Sequence, residues 1–437
     1  MPSQSPLTPP QPPRRPTVLR AHGDERVDDW FWLRERDNPE VISHLEAENA
    51  FTAAMTAHTS ALQESLFKEM VSRIQETDLS VPVRKGPWLY YSRTEEGRQY
   101  AIHCRRPAGG PLLVDAGVVA PDEQVLLDEN ETAGESDYFA LGGFAVSPDH
   151  RWLAYATDVT GAERYTLRFR DLHAKEDRAE VVEDTYYGLA WANDNATIFF
   201  TRPDETMRPH QLWRHTLGST EDTCVYEEKD ERFYLGVSRT KDDTFVLLDL
   251  ESKTTTETRA LPADQPDGTF GIIEPRRQDV EYSLTHYGDT FYMVTNDGAE
   301  NFRLVGVPDR DYRRGNWRDV LPYDERVRTE GVDVMGGHLV LYERSEGNPR
   351  IRVLRLADGD MHTIDQPEAV STVWGGPNPE IDSTILRYEY TSMVTPRSVY
   401  DYDLVTRERT LLKRQAVLGD FDPSQYTTER SWAAGED

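Results

Sequence analysis

Two periodicities divide the chain. From Asn38 to Ile74 the apolar positions recur at helical spacing. Asn38-Pro39 is a start signal, a capping side chain followed by proline at the first helical position, where its missing N–H costs nothing. Val41, Ile42, Leu45, Phe51 and Met55 follow it. A second helix is predicted from Ser60, where Gln63 three residues on completes a capping box. Leu62, Leu66, Phe67, Met70, Val71 and Ile74 then form one apolar face.

From Trp88 onward the period is two. Trp88-Leu-Tyr-Tyr, a turn at Glu96-Gly97 and Tyr100-Ala-Ile-His-Cys read as a hairpin. Turn-then-strand segments return with Trp152, Ile198, Phe245, Phe291, Leu339 and Ile385 as anchors, 46 to 48 residues apart. Trp88 stands one longer interval earlier, with an insertion around 105–140 taking up the difference. Second strand pairs follow most anchors, as in Tyr165-Thr-Leu-Arg-Phe and Arg350-Ile-Arg-Val-Leu. Four short strands repeated near this length make a propeller blade. Two β-sandwiches would not enforce so even a spacing. The predicted fold class is mainly β, a seven-bladed β-propeller preceded by a short α-helical N-terminal segment. The predicted boundaries are a disordered Pro-rich extension over 1–24, a helical lead-in over 25–80, the propeller over 81–415 and a linker over 416–437.

Composition fits a large β protein: 437 residues, 37% apolar, with aromatics at 10%. The formal charge of −29 disfavours nucleic acid and anionic membranes as partners and would attract cationic peptides. The same acidic, Lys-poor surface also fits solubility or salt adaptation. Cys104 and Cys224 are too few and too far apart for a disulfide framework, which fits a reducing cytoplasm. Residues 1–16 hold no apolar stretch of a signal peptide, and no run of 18 apolar residues occurs. A cytoplasmic location is expected.

The chemistry-bearing residues are dispersed. There is no G-x-S-x-G elbow and no alternation of strands and helices to hold one. Ser147, before Pro148-Asp149, reads as a turn residue. His210 and His215 fall on opposite faces of a strand. No HExxH or CxxC motif occurs, and neither Asp242-Asp243 nor Asp309 to Asp311 has calcium-loop spacing. Gly109-Gly110, Gly142-Gly143 and Gly336-Gly337 lack the helix and Lys of a phosphate loop and read as turn glycines. No metal or other cofactor is expected.

A wider set of residues resembles one family. It includes Asp28-Asp29-Trp30-Phe31-Trp32-Leu33-Arg34, Leu45-Glu46-Ala47-Glu48-Asn49, Glu76-Thr77-Asp78-Leu79-Ser80-Val81-Pro82 and Glu95-Glu96-Gly97-Arg98-Gln99-Tyr100. Leu127-Asp128-Glu129-Asn130, Trp191-Ala192-Asn193-Asp194 and Asp422-Pro423-Ser424-Gln425-Tyr426 extend it over roughly residues 25 to 432. On these the chain resembles the prolyl oligopeptidase family of serine peptidases, in its oligopeptidase B branch. The resemblance implies a propeller that serves as a size filter for an α/β-hydrolase domain holding a Ser-Asp-His triad, with cleavage of short peptides after Arg or Lys. It also implies that no catalytic residue lies in this chain, which reaches Ala433–Asp437 where the hydrolase domain would begin. By itself the chain is expected to be inactive, its partners being that domain and, with it, short basic peptides. The apolar face of 62–74 would pack on the hydrolase domain. Glu163 and Arg164, in the turn Gly161-Ala162-Glu163-Arg164, become candidates for interdomain ion pairs or for contact with a cationic substrate. The alternative reading is a propeller that binds peptides or proteins without chemistry.

Overall fold

Alternating burial gives the strands their two faces: along Tyr234–Arg239, exposed Tyr234, Gly236 and Ser238 alternate with buried Leu235 and Val237. The computed structural model describes residues 8–435; residues 1–7 of the Pro-rich start and 436–437 of the linker lie outside the described residues. The chain divides into two compact units, one ending at Gln75 and the other beginning at Glu76.

In the N-terminal unit, β1 (Thr17–Ala21) and β2 (Asp24–Asp28) form an antiparallel hairpin. Its two-residue turn, His22-Gly23, has φ of 53° and 82°, which matches the strand twist. Ordered structure therefore begins inside the segment 1–24 that proline content marked as disordered, because the prolines stop at Pro16. Trp32 is buried, its indole N–H donating to Pro13 O at 3.1 Å under the Arg15 guanidinium. Asn38 caps α1 (Pro39–Thr56), Oδ1 accepting from Glu40 N at 3.0 Å.

The helix does not restart at Ser60. One 3₁₀ turn, Ala57–Thr59, carries it into α2 (Ser60–Ser72), and Ser60 has helical φ and ψ of −57° and −43°. The Ser60 hydroxyl donates back to Ala57 O at 2.9 Å, and Gln63 donates to Thr59 Oγ1 at 2.7 Å. The capping-box residues thus satisfy a continuing helix instead of starting one. Leu62, Leu66, Phe67, Met70, Val71 and Ile74 are all exposed.

The second unit is a seven-bladed β-propeller, each blade an antiparallel sheet contiguous in sequence. Every anchor residue stands at or one residue inside the start of a blade's second strand: Trp88–Thr94, Trp152–Asp158, Thr197–Pro203, Phe245–Glu251, Thr290–Thr295, His338–Ser345 and Ile385–Thr391. In blade 1 the inner strand is split into Asp78–Leu79 and Val83–Lys85, both paired to Trp88–Thr94. Pro82, which cannot donate to a ladder, falls in the break.

Apolar clusters join successive blades. Leu126 and Leu127 meet Leu153 and Tyr155 between blades 1 and 2, and Phe169 meets Trp191 and Phe200 between blades 2 and 3. Equivalent clusters continue round to blades 6 and 7, where Met335 and Val340 meet Leu386 and Tyr388. The junction between blades 7 and 1 differs. The cluster of Tyr91, Ile102 and Cys104 stays within blade 1, and polar contacts tie blade 7 to blade 1. Lys413 Nζ donates to Asp78 and to Leu79 O, Arg387 Nη1 to Pro82 O at 2.6 Å, and Gly86 N to Glu380 Oε1 at 2.7 Å. No strand is exchanged across this junction.

Antiparallel order places the turn between second and third strands on the same face as the connection from each blade to the next. The first blade's inner strand begins on that face and the last strand, Arg409–Arg414, ends there. The Gly142-Gly143 pair is not a turn. It lies within Ala140–Val146, where a Cβ on Gly142 would sit 2.3 Å from the Tyr165 ring and one on Gly143 2.7 Å from Leu189. These glycines permit close packing of the blade face. Gly336-Gly337 is a turn, with φ of 52° and 72°. No helix among the described residues is long and apolar enough to cross a membrane.

Candidate functional site

The turn carrying Glu163 and Arg164 joins the second and third strands of blade 2, Trp152–Asp158 and Tyr165–Asp171. Asp158 organises it. Its carboxylate accepts from Thr160 N and Oγ1, both at 2.7 Å, from Gly161 N at 3.2 Å and from Glu163 N at 2.9 Å. Burial pushes this carboxyl up, but the donors outweigh it and hold it below the ordinary range. The clamp fixes Gly161 and Glu163 at φ of 79° and 57°. A left-handed glutamate is uncommon and needs such support.

The structure separates the two sequence candidates. Arg164 is committed within the propeller, its guanidinium bound to Asp184 and to Asp204 O, the latter at 3.0 Å. Asp204 lies in the corresponding turn of blade 3, between Thr197–Pro203 and Pro209–Thr216, so Arg164 ties two neighbouring turns together. Glu163 is exposed, and its carboxylate has no hydrogen-bond or ion-pair partner among the described residues.

Sequence reasoning missed the surroundings of Glu163. Tyr165 donates its hydroxyl to Tyr187 at 2.8 Å, their rings 5.1 Å apart, and Tyr186 meets Tyr187 edge-on at 4.6 Å. The Tyr138 ring lies 3.9 Å from the position a Gly161 Cβ would take. These tyrosines come from two blade-to-blade connections and the start of the strand Tyr165–Asp171, and no linear motif joins them. The Tyr186-Tyr187 dipeptide beside a blade boundary was the only local signal.

A second group was also missed. A cavity of about 280 Å³ between the inner edges of blades 4 and 5 is lined by Ser238, Lys241, Asp249, Glu251, Tyr282 and Ser283. Burial pushes the Asp249 carboxyl up to about 6, against a hydrogen bond from the Thr258 hydroxyl at 2.8 Å and with help from the Glu251 charge. Lys241 pairs with Asp333, and its burial lowers the ammonium from the ordinary lysine range. A larger cavity of about 500 Å³ opens at the junction of blades 7 and 1, near Glu380, Asp382 and Arg387.

The remaining candidates have structural partners. Ser147 Oγ donates to Asp149 at 2.5 Å and accepts from Trp152 N, holding a hairpin turn. His215 is buried against Phe169 and reaches Asp222 at 2.9 Å. His286 is fully buried between Asp242, at 2.6 Å, and Asp309, at 3.5 Å. Cys104 is buried, and burial and then the Glu123 charge push its thiol up to about 12. Among the described residues no three His, Cys, Asp or Glu side chains gather as a metal site would require.

Residues 9–415 match the family model described as prolyl oligopeptidase, N-terminal beta-propeller domain. Dipeptidyl aminopeptidase BI of Pseudoxanthomonas mexicana is 39% identical over 443 residues, covering 98% of this chain and 61% of that protein. Protease 2 of Moraxella lacunata is 34% identical over 427 residues, covering 97% of this chain and 61% of that protein. Among solved structures, oligopeptidase B from Leishmania major superposes with a TM-score of 0.90 at 27% identity, over 98% of this chain and 63% of that one. The chain therefore spans about three fifths of the length of the curated relatives it matches.

Proposed function

Because the chain belongs to the prolyl oligopeptidase family and is its N-terminal propeller part, oligopeptidase B-like, we propose that it acts as the access and recognition half of a serine oligopeptidase. The catalytic triad is supplied by an α/β-hydrolase domain outside these residues. The propeller passes short peptides and excludes folded proteins, and cleavage follows Arg or Lys. The observation that carries this reading is the family match over residues 9–415 in a chain that spans only 61% of such relatives.

Three features support it. The ring places its blade-to-blade connections on one face, where the strands leading in and out of the propeller also end. The apolar face from Leu62 to Ile74, along α2 and just beyond its end, is exposed and fits a partner domain's apolar surface. The acidic composition, with Glu163 free on the connection face, suits cationic peptides. Glu163 is the proposed contact, and Arg164 the residue that holds its turn against blade 3. A cytoplasmic location is proposed with this function.

The test joins the 437-residue chain to the remaining segment of the Pseudoxanthomonas relative. The fusion is expected to cleave a blocked peptide after Arg or Lys and to leave a folded protein intact, while the chain alone cleaves neither. Turnover by the chain alone, or equal attack on peptide and folded protein by the fusion, overturns the proposal. A folded fusion without peptidase activity that still binds peptides favours the non-catalytic module.

A further inference from the structure

Apolar clusters join the successive blades from 1 to 7, but the junction of blades 7 and 1 contains a cavity of about 500 Å³. Small-molecule sites commonly measure about 300–1,000 Å³ and combine apolar walls with a few polar groups. This cavity has both. Val83 and Leu89 of blade 1, Met335 of blade 6 and Ile385 of blade 7 give it apolar walls. Pro379 and Glu380, from the turn between the first two strands of blade 7, place it toward the face opposite the blade connections.

Two of its charged groups are already engaged. Arg387 forks onto both oxygens of Asp401 at 2.8 and 3.0 Å, and Glu380 accepts from Gly86 N. Two guanidiniums are not. Arg84 lines the cavity, and its hydrogen bonding is one long contact from Nε to Gly86 O at 3.4 Å. Arg106 is only 2% exposed, so this chain alone buries it, yet it has no carboxylate partner among the described residues. Its Nη2 donates to Pro111 O and to Leu112 O, the latter at 3.0 Å, while the buried Nε has no acceptor. Arg106 pairs across the ladder with Leu89, and residues so paired share one face of a sheet. Leu89, Gly110 and Leu112 all line the cavity, and a Cβ on Gly110 would stand 3.2 Å from Arg106 Nη1. The guanidinium thus lies directly behind the cavity wall. A buried cation without a counter-charge is costly, and an anion brought beside it recovers part of that cost.

We propose that the cavity between blades 7 and 1 is a binding site for a small organic carboxylate with an apolar body, its carboxylate received by Arg84 and Arg106. The planar guanidinium fork matches a carboxylate, and the apolar body packs where the other junctions carry side chains. The ligand touches both blades and so wedges the junction that has no apolar cluster of its own. Asp382, also in the wall, would instead favour an amine, and an amine probe separates the two preferences.

The experiment titrates the full 437-residue chain, labelled with ¹³C-methyl methionine, and follows the signal of Met335, identified by its loss in M335L. The probes are phenylbutyrate, its neutral amide phenylbutyramide, the amine phenylbutylamine, and acetate, which has the charge without the apolar body. Phenylbutyrate is expected to shift the Met335 signal saturably, with each of the other three binding at least tenfold more weakly. R84Q is expected to weaken phenylbutyrate binding several-fold with an unchanged melting temperature, and R106M at least tenfold. Where R106M does not fold, R84Q and the probe series decide. Absence of a saturable shift overturns the proposal, as does amide, amine or acetate binding as tight as that of phenylbutyrate. So does phenylbutyrate binding that is indifferent to R84Q. None of these measurements uses peptidase activity, so this proposal and the proposed function fail separately.

Discussion

Lys413 Nζ lies 2.7 Å from both carboxylate oxygens of Asp78, joining residues 335 positions apart across the junction of the last and first blades. The other six junctions are filled by apolar side chains. Closure of the ring thus relies on directional contacts, whereas the other junctions combine buried apolar area with polar ties such as that of Arg164 to Asp204 O.

Lys413→Met is expected to destabilise the propeller by about 1 kcal/mol, the scale of a partly exposed, charge-assisted hydrogen bond. A double-mutant cycle with Asp78→Asn, followed by calorimetry, should return a coupling of the same size that shrinks in high salt. A coupling near zero would show that the junction is held by something other than this pair.

Asp249 gives a pH signature. Its folded carboxyl titrates at about 6, above the ordinary aspartate value of 3.8, so the folded state binds the proton more tightly than the unfolded one. Its contribution to stability is present at low pH and is lost as the pH rises from about 4 to about 6, roughly 3 kcal/mol at most. Asp249→Asn should therefore raise the melting temperature at pH 8 and leave it nearly unchanged at pH 4. Melting curves across this range check it, and an equal effect at both pH values would count against a raised folded value.

Gly142→Ala tests the packing beneath Tyr165. The added Cβ would stand 2.3 Å from the ring, with strand backbone on either side. A loss of about 1–3 kcal/mol is expected, the usual cost of overpacking. Tyr165→Phe should not relieve it, because the clash is with ring carbons, whereas Tyr165→Ala in the same chain should relieve part of it. Urea unfolding of the three variants decides.

His286 is completely buried between Asp242 of blade 4 and Asp309 of blade 5. Replacing it by Ala leaves two carboxylates facing a void, and a loss of about 3–5 kcal/mol is expected. Chemical denaturation measures this, and a loss below about 1 kcal/mol would mean that solvent replaces the imidazole freely.

The blades were legible because strand alternation and turn chemistry are local, and a spacing of 46 to 48 residues repeats them. Where local signals misled, tertiary context decided. Ser60 and Gln63 carry a capping pattern, yet the helix runs through them because the preceding turn stays helical. Gly142-Gly143 looked like a turn until Tyr165 and Leu189 filled the space their missing side chains leave. The Glu163 site was half legible. The turn could be located in the sequence, but the opposite fates of Glu163 and Arg164 depend on Asp184 and Asp204, 20 and 40 positions beyond Arg164. Apart from the Tyr186-Tyr187 dipeptide, the tyrosines and Asp249 carried no signal, since only the ring brings their strands together.

Each blade is a single unbroken stretch of chain, and no strand crosses from the last stretch to the first. The blade at which synthesis starts is therefore independent of how the blades sit in the circle. A chain opened between Glu227 and Tyr234, with Arg414 linked back to Asp78 across a gap that Lys413 already spans, would contain the same seven complete sheets. For such an architecture the blade at which the sequence starts is a convention.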